Sequence, residues 1–581
     1  MSARRVRPIL AVLLLALALV WPADAPAASD WDQAVLKVGV LEEPKSLNPW
    51  LAGDAWSSHV QNLLYQPLFL RNPADLKPVP WLAAEPAVFD AATLSYTVRL
   101  RPARWSDGSP LDAGDVVFTA EVIKKLQVPR FASLWAALKN VEALAPDTVR
   151  FTLARPDASF ASRALGVPIL ARSQWEPIVH QCMQTKRPLA SLLQARVDQP
   201  LSSGPFAFAE WRKGVYVYLK RNPHFFGQGL TIAGRELGPR IEGVVFKVYG
   251  TSDAAILGLR KGSIDYYWNN IQPGYLRQLT ADPAIKLYTS QKSALYFLGF
   301  NLRRQPTADP AFRAATAMLI DKHFIIKRVL QGAGEVMSSI LPAGNRLYHL
   351  DETPEYDQSR DRRERLALAV EMLAQAGYTW ERRPETGGPR IIPGRGIRTP
   401  DGNQVKELAI LTPPADYDPQ RAMVGVMVQE WLGEAGVPAF ARPMAFGAML
   451  DRVKNQHDFD LFVLGYGNLP LDPGWLGAFF ISANDKPRGW NMSGYRNAEF
   501  DRAAEAAARA MDPELRRPLV LDMQRMLMRD APFLPLYNPT LVEAARSDRF
   551  GGWVPMVGGI GNIWTFCELR PAKMVAQAPA E

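Results

Sequence analysis

Cysteine is almost absent from this 581-residue chain, which contains only Cys182 and Cys567. Two cysteines cannot build the disulfide framework that stabilises small secreted domains. The sequence allows either one bridge between them or two separate buried thiols, because it does not give the distance between their Cα atoms. The pair therefore leaves the fold unconstrained.

Long apolar runs are also missing, except near the N-terminus. Residues 9–20 are apolar, follow Arg4, Arg5 and Arg7, and precede a stretch of small residues at 25–28. This pattern predicts a signal peptide over residues 1–28, because the apolar run is shorter than the ~20 residues of a membrane span. We expect export to the periplasm without stable membrane insertion, with an uncleaved anchor as the alternative.

The familiar catalytic signatures are absent too. The chain has no Gly-x-Ser-x-Gly, His-Glu-x-x-His or Cys-x-x-Cys pattern, and no Gly-Lys pair for a phosphate-binding loop. A pair of carboxylates could still serve glycoside hydrolysis, since such a pair is recognised by geometry and not by spacing. A secreted hydrolase is therefore the rival hypothesis from another functional class, and the first expectation is that the protein is not an enzyme.

Charge gives no sign of a nucleic-acid partner. The formal net charge is +9, but the basic residues are spread along the chain without a run of five. His457, Asp458 and Asp460 come nearest to a metal-binding cluster, and we interpret them as a polar loop before a buried strand, because a stable site needs several converging ligands. No metal and no cofactor are expected.

Residues 96–121 carry the clearest structural signal. Apolar and polar residues alternate over 96–101, which predicts a strand with one buried face, and a Ser-Asp-Gly-Ser-Pro turn follows. Asp112 is placed to cap a helix, Asp115 lies in its first turn, and Leu111 can pack on Val116. The segment predicts a strand, a turn and a capped helix.

Similar units recur along the chain and indicate an α/β protein. The predictions are an opening strand at 34–41, a helix ending near Tyr65, a helix leading to Asp265, and a strand at 296–301. Asp309-Pro310 and Asp512-Pro513 each predict a helix start, because proline is favoured at the first helical position. A further helix is predicted at 366–377 and a strand, a helix and a strand between 408 and 462, whereas residues 381–406 predict an irregular surface excursion.

The string at 105–118 closely resembles a signature of the family 5 extracellular solute-binding proteins, the peptide and nickel receptors of ABC importers. Further segments resemble that family in the same order, at 203–206, 216–226, 254–265, 296–301 and 530–537. The resemblance implies an α/β, bilobed periplasmic-binding-protein-like fold of type II, in its large three-domain form, with a hinge between the lobes.

The resemblance also implies a division of the chain. Lobe I would comprise residues 29–75, 200–300 and 543–581, of which 573–581 would form a flexible tail. A small domain would be inserted at 76–199, and lobe II would span 301–542.

A ligand would lie between the lobes, and the resemblance names candidate contacts. They are a first-lobe loop, a strand end whose amides could pair with a peptide backbone, and two aromatic pocket positions; packed or turn-forming roles are the alternative for each. These candidates are Glu42, Glu43, Lys45, Trp268, Asn269, Asn270, Trp135 and Tyr296.

The candidate contacts in lobe II are Tyr466, Leu469 and Asp472. Peptide-binding members carry in this segment an Asp that pairs with the α-ammonium of the peptide, and Leu469 stands at that place. Val463 likewise stands where an Arg is found in oligopeptide receptors. A buried ammonium without a counterion is costly, so either Asp472 or Glu43 takes over, or the ligand is not a peptide with a free N-terminus.

The resemblance as a whole implies a monomeric receptor that captures a small molecule or peptide and delivers it to an ABC transporter membrane permease. Peptides or peptide-like ligands are the first expectation. A non-peptide cargo such as a glycan fragment, an opine or a metal chelate is the alternative.

Overall fold

The computed structural model describes residues 34–51, 54–352, 356 and 360–572. The predicted signal peptide at 1–28 and the predicted tail at 573–581 lie outside the described residues. No helix within these ranges has the length and apolar character needed to cross a bilayer.

The strands are numbered in chain order. They are β1 Val35–Val40, β2 Phe69–Arg71, β3 Pro78–Pro80, β4 Val88–Asp90, β5 Ser95–Arg99, β6 Ala103–Arg104, β7 Pro110–Leu111, β8 Leu138–Ala145, β9 Thr148–Leu153, β10 Phe206–Arg212, β11 Tyr216–Arg221, β12 Thr231–Ile232, β13 Arg235–Glu236, β14 Gly243–Val248, β15 Tyr266–Tyr267, β16 Ile285–Gln291, β17 Leu295–Phe300, β18 Gly334–Val336, β19 Leu408–Thr412, β20 Ala439–Pro443, β21 Leu461–Tyr466, β22 Phe533–Arg546, β23 Phe550–Gly551 and β24 Arg570–Pro571.

The helices alternate with these strands. They are α1 Ala55–Leu64, α2 Ala113–Leu126, α3 Phe160–Arg163, α4 Arg172–Met183, α5 Pro188–Gln194, α6 Ser252–Arg260, α7 Pro273–Thr280, α8 Pro310–Leu319, α9 Lys322–Arg328, α10 Arg362–Gln375, α11 Pro419–Glu434, α12 Phe446–Asp451, α13 Trp475–Phe480, α14 Ala498–Arg509, α15 Pro513–Asp530 and α16 Ile563–Glu568, with 3-10 turns at Ala132–Trp135, Ala164–Gly166 and Ser482–Asn484 and a π turn at Arg452–Gln456.

A single sheet runs through both halves of the molecule in the order β10-β11-β14-β1-β15-β22-β17-β21-β19-β20, and β16 and β18 also pair with β22. In lobe I, β1 lies parallel to β14 and β15. In lobe II, β19 lies parallel to β20 and β21. Parallel strands need crossover connections, which the intervening helices supply.

Strand β22 joins the two lobes. Its first residues, through Tyr537, pair with β17 in lobe II, and its residues from Thr540 onward pair with β16 in lobe I. The chain also passes between the lobes from the end of β16 at Gln291 to the start of β17 at Leu295. These two crossings lie side by side, so they form the connection about which the lobes can move.

The apolar cores follow the same division. One large cluster joins lobe I to the small domain and contains residues as far apart as Leu36, Trp105 and Phe566. Two other clusters consist entirely of residues between Leu295 and Tyr537. The ranges assigned to the lobes and the small domain stay a prediction. Strand β17, which the prediction places at the end of lobe I, packs in the two clusters of lobe II.

The small domain contains the four-stranded sheet β4-β5-β9-β8 and helix α2. The predicted strand, turn and capped helix are confirmed here: β5 is followed by a turn in which Gly108 has φ +88°, and Asp112 caps α2. The side chain of Asp112 accepts from the backbone of Asp115, and the side chain of Asp115 accepts from the backbone of Asp112. These reciprocal hydrogen bonds form a complete capping box.

Two short helices follow the predicted helix start at Asp309-Pro310. Helix α8 begins at Pro310 as predicted and ends at Leu319, and α9 starts separately at Lys322. The side chain of Asp321 accepts from the N–H of Phe324 at 2.8 Å, so Asp321 acts as the N-cap of α9. A residue that caps a helix also interrupts the one before it.

Both cysteines are free and buried. Cys182 packs in the large cluster of lobe I and the small domain, whereas Cys567 packs in a separate cluster with Trp81 and Trp564. Of the two arrangements that the sequence allows, the structure contains the separate thiols.

Candidate functional site

Helix α11 places a buried arginine in lobe II, close to the crossing. Asp418 caps the helix, Pro419 occupies its first position, and Arg421 lies in its first turn. The Nε of Arg421 donates to Asp418 at 2.7 Å. Its Nη1 is buried and has no hydrogen-bond partner within the described part of the chain. A buried guanidinium donor without an acceptor is costly, which marks a place where a ligand could supply one.

Aromatic rings surround this guanidinium. Tyr417 and Phe446 stack with their centroids 5.1 Å apart, and the Cζ of Arg421 lies 5.9 Å and 5.2 Å from those two rings. Such cation–π contacts orient the group without using its N–H donors. The Nη1 donor of Arg421 therefore stays available for an anion.

Two further tyrosines extend this wall toward the crossing. Tyr296 on β17 and Tyr537 on β22 stack with centroids 4.8 Å apart. Burial raises the pKa of both phenols; the charge of Asp418 raises the pKa further, while that of Arg421 opposes it. The Oη of Tyr537 is buried and lacks a partner among the described residues. We name Tyr296, Tyr417, Arg421, Phe446 and Tyr537 the Arg421 cluster.

Lobe I and the small domain enclose a cavity of about 380 Å³. The indole of Trp268, just after β15, stacks on the imidazole of His59 from α1 at 3.9 Å and 21°. Burial lowers the pKa of His59 to about 4, with Asp54 opposing the shift, so the ring is neutral near pH 7. We name this space the lobe I cavity and define it by His59, Asn62, Arg130, Arg163, Trp268 and Asn562, which line it.

The acidic residues of the predicted polar loop at 457–460 have partners within the protein. Within the described ranges, no three His, Cys, Asp or Glu side chains converge in a way that could hold an ion. Asp458 accepts from Arg452, and Asp460 accepts from the N–H of Ala409, as a polar loop before a strand requires.

The sequence model of a known family matches most of the chain. Residues 77–487 match the description "Bacterial extracellular solute-binding proteins, family 5 Middle". The chain belongs to this family.

Proteins that are similar to this chain match it over most of its length. The oligopeptide-binding protein AppA of Bacillus subtilis is 26% identical over 518 residues, which is 87% of this chain and 86% of AppA. The structure of AppA in complex with a nonapeptide covers 92% of this chain and 98% of its own, with a TM-score of 0.63 and 25% identity.

A periplasmic oligopeptide-binding protein of Thermotoga maritima has the same fold. Its structure covers 93% of this chain and 99% of its own, with a TM-score of 0.72 at 21% identity. The predicted bilobed, periplasmic-binding-protein-like fold is confirmed.

Several sequence-predicted residues of this family 5 protein lie at the crossing between the lobes. The Oδ1 of Asn270 accepts from the N–H of Val542 on β22 at 2.9 Å, and Asn269 donates to the hydroxyl of Tyr267 at 3.2 Å. Leu469 donates its N–H to the carbonyl of Ser293 at 2.6 Å. The side chain of Asn270 and the backbone of Leu469 therefore contact the two chain segments that connect the lobes, whereas the side chain of Leu469 packs in a core cluster of lobe II.

Tyr466 packs within lobe II. Its ring stacks on Phe297 at 5.9 Å and lies 5.0 Å from Phe479, and burial raises the pKa of its phenol. Tyr296 is the other predicted residue in this lobe that the structure brings into an aromatic cluster. Their roles toward a ligand stay predictions.

Both candidate carboxylates for a ligand ammonium have protein partners. Asp472 is 3% exposed, and its oxygens lie 2.8 Å and 3.1 Å from the guanidinium of Arg516. Although burial alone would raise it, the hydrogen bonds and charge of Arg516 hold the pKa of Asp472 well below its usual range. Glu43 accepts from the indole N–H of Trp211 at 3.0 Å and from the N–H of Gly214 at 2.9 Å.

The remaining predicted residues lie apart from the crossing. Trp135 is 3% exposed and packs edge-on against Phe151 and Phe160 in the small domain. Glu42 is exposed, and Lys45 borders a separate surface cavity with Arg196 and Asp198. The structure therefore does not bring these three together with the Arg421 cluster.

Sequence reasoning missed Arg421, His59 and Arg163. The Asp-Pro start of α11 was available as a signal for a helix near residue 419, and an arginine in a first helical turn is unfavourable next to the helix dipole. An arginine at that place suggests a role other than helix stabilisation. No comparable signal marks His59 or Arg163.

Proposed function

We propose that this protein is a periplasmic receptor of an ABC importer that binds a peptide or peptide-like ligand between its lobes and delivers it to a membrane permease. Family membership and the oligopeptide-binding relatives support the receptor assignment. The predicted signal peptide supports the location. Such a receptor holds its ligand without making or breaking a bond.

The observation that carries the proposal is that the Arg421 cluster contains a buried Nη1 of Arg421 and a buried hydroxyl of Tyr537, neither of which has a partner among the described residues. A peptide ends in a carboxylate, and a guanidinium binds a carboxylate through short, charge-assisted hydrogen bonds. Apolar walls with a few fixed polar groups are the usual form of a small-ligand site. The Arg421 cluster provides both parts at the crossing between the lobes.

Native mass spectrometry of the purified protein would identify retained cargo, and thermal-shift screening of di-, tri- and longer peptides would follow. A peptide at 100 times its Kd should add about 2.7 kcal/mol to the unfolding free energy. A screen in which no peptide raises the melting temperature would contradict the proposal.

Substitution Arg421→Gln tests the carboxylate contact. We expect at least tenfold weaker binding of a peptide with a free C-terminus, because a hydrogen bond to a charged group contributes about 1.5–3 kcal/mol. A C-terminally amidated peptide should bind the unaltered protein more weakly and should lose little further affinity in the variant. Calorimetry measures all four affinities.

The matched control is Arg442→Gln in the same lobe, where the guanidinium is half-exposed and pairs with Glu407 at 2.8 Å. This substitution should leave unchanged the affinities for the peptide with a free C-terminus and for the amidated peptide. Equal affinities in the two variants would rule out Arg421 as the contact.

A further inference from the structure

The lobe I cavity has an unbalanced charge. Two guanidinium groups, Arg130 and Arg163, line it, and none of the residues that line it is Asp or Glu. Its volume of about 380 Å³ lies within the ~300–1,000 Å³ typical of small-ligand sites. Since His59 is neutral near pH 7, the net charge of the lining comes from the two arginines.

Neither arginine has a carboxylate partner in the described part of the chain. The Nη1 of Arg130 donates to the carbonyl of Pro49 at 2.7 Å and to Gln61 at 2.9 Å, both of which are neutral acceptors. Burial lowers the pKa of Arg130, which means that its positive charge is poorly solvated. Arg163 is partly exposed, and its guanidinium forms no hydrogen bond or ion pair with the described residues, although its backbone N–H donates to Ser159 at 3.0 Å. An anion in the cavity would compensate both charges.

The cavity lies on the side of lobe I that meets lobe II. Arg163 and Gly166 also line an adjacent space of about 220 Å³ together with Arg71 and Ser162. The hydroxyl of Ser162 donates to Asp472 of lobe II at 2.7 Å. A ligand held between the lobes could therefore extend one group into the lobe I cavity.

Neither carboxylate that was considered for a ligand ammonium is free of partners within the protein. Leu469 stands where an acid would be needed, and the carboxylates of Asp472 and Glu43 already have partners in the protein. Because two arginines and no Asp or Glu line the lobe I cavity, the cavity favours a negatively charged group of the ligand.

We propose that the lobe I cavity binds a carboxylate side chain of the ligand through Arg163 and Arg130, and that the preferred ligand is an acidic peptide whose N-terminus is blocked. This inference rests on the proposed function and narrows its substrate class. Arg421 would hold the terminal carboxylate, and the lobe I cavity would hold the acidic side chain.

The test uses N-acetylated alanine tripeptides in which one position at a time carries Glu or, in the matched peptide, Gln. Calorimetry on the full protein gives the affinity ratio of each Glu and Gln pair. At one position we expect the Glu peptide to bind at least tenfold more tightly than the matched Gln peptide. We also expect each N-acetylated peptide to bind at least as tightly as the same peptide with a free amine.

The ratio should fall close to one in Arg163→Gln and be largely retained in Arg163→Lys, which keeps the charge. Arg155→Gln is the control, because Arg155 is exposed in the same small domain and does not line the cavity. It should keep the ratio of the unaltered protein.

Two results would overturn the inference: a ratio near one at all three positions, or a preference for Glu that Arg163→Gln does not change. If peptides bind and depend on Arg421 but show no preference for Glu, this inference fails alone. If none of the peptides binds, the proposed function fails with it.

Discussion

The thiol of Cys182 lies on α4 with 7% of the residue exposed, and that of Cys567 lies on α16 with none. Burial raises the pKa of both thiols, and the charge of Glu568 adds to the effect at Cys567. The thiolate is the reactive form of cysteine, so both groups are protected by protonation as well as by lack of access.

We expect slow alkylation of the native protein by iodoacetamide at pH 8 and rapid addition of two carbamidomethyl groups in guanidinium chloride without reductant. Intact-mass spectrometry measures the adducts. If the unfolded, unreduced chain accepts no adduct while the reduced chain accepts two, the cysteines are bridged and the separate arrangement is wrong.

Single residues were the hardest feature to predict from the sequence. Trp135 was a candidate because a family pattern places an aromatic residue there, yet the structure packs it against Phe151 and Phe160. The burial of Arg421 depends on Phe446, which is 25 positions away and meets it through tertiary packing. Local patterns carry no information about such contacts, so they indicated residue types but not which side chains would converge.

Helix α2 shows how much a local pattern can determine at the scale of one element. Asp112 accepts from the N–H of Gly114 at 2.8 Å, and Asp115 accepts from the N–H of Asp112 at 3.1 Å. Asp115 also accepts from the N–H of Arg172 at 2.7 Å, which ties the helix start to α4.

Substitution Asp112→Ala should lower the unfolding free energy by about 1 kcal/mol, because it leaves an N-terminal N–H of α2 without its acceptor. Urea unfolding followed by circular dichroism measures the change. Asp147→Ala is the control, since Asp147 is exposed and 3.8 Å from Arg99; it should change stability by less than about 0.5 kcal/mol. Equal effects of the two substitutions would argue against the cap.

Elements with local signals were predicted well. The Asp-Pro starts of α8 and α15, the strand β5 and the glycine after α10 all follow from residues within one or two turns. Strand β22 was not predicted as one element of 14 residues, because Pro535 and Pro539 interrupt its pattern. Its length depends on partners from both lobes, which the sequence order does not bring together.

At the scale of the whole molecule, Asp472 and Arg516 of lobe II meet the small domain. Ser159 and Ser162 donate to the two oxygens of Asp472 at 2.7 Å each, and the side chains of Asp472 and Arg516 are 2% and 4% exposed. This buried ion pair is therefore shared between two parts of the protein that are distant in sequence.

Substitution Asp472→Asn should lower the unfolding free energy by about 3 kcal/mol or more, because it leaves the buried guanidinium of Arg516 without its counterion. Differential scanning calorimetry measures the shift. The control is Glu505→Gln, which removes an exposed pair with Arg509 and should change stability by less than about 1 kcal/mol. A shift as small as that of the control would show that the pair does not hold the small domain to lobe II.

A second buried carboxylate lies on β22. Glu543 accepts from the hydroxyl of Tyr266 and from the N–H of Ile560 at 2.6 Å. Burial raises its pKa to about 7, while these hydrogen bonds and Lys292 oppose the rise. An unfolded chain would release this proton at lower pH than the folded protein does.

The contribution of Glu543 to stability should therefore be largest below pH 4.5 and should fall as pH rises to about 7. The slope is at most about 1.4 kcal/mol per pH unit from one group. Glu543→Gln cannot ionise, so the difference in unfolding free energy between variant and unaltered protein should grow with pH in this window and be constant above it. Urea unfolding at pH 5, 6, 7 and 8 measures the difference; a constant difference at all four values would contradict the prediction.

The passage of β22 between the lobes has a mechanical consequence. At Asn538 and Pro539 the strand pairs with β18 alone, between its contacts with β17 and β16. Proline has no N–H to donate, so a twist of the backbone there strains fewer ladder bonds than a twist at Ala544 and Ala545, which pair with strands on both sides. Rotation of one lobe against the other therefore costs little free energy. Most of the favourable interaction between the protein and its ligand can then appear as binding affinity, because little of it is needed to move the lobes.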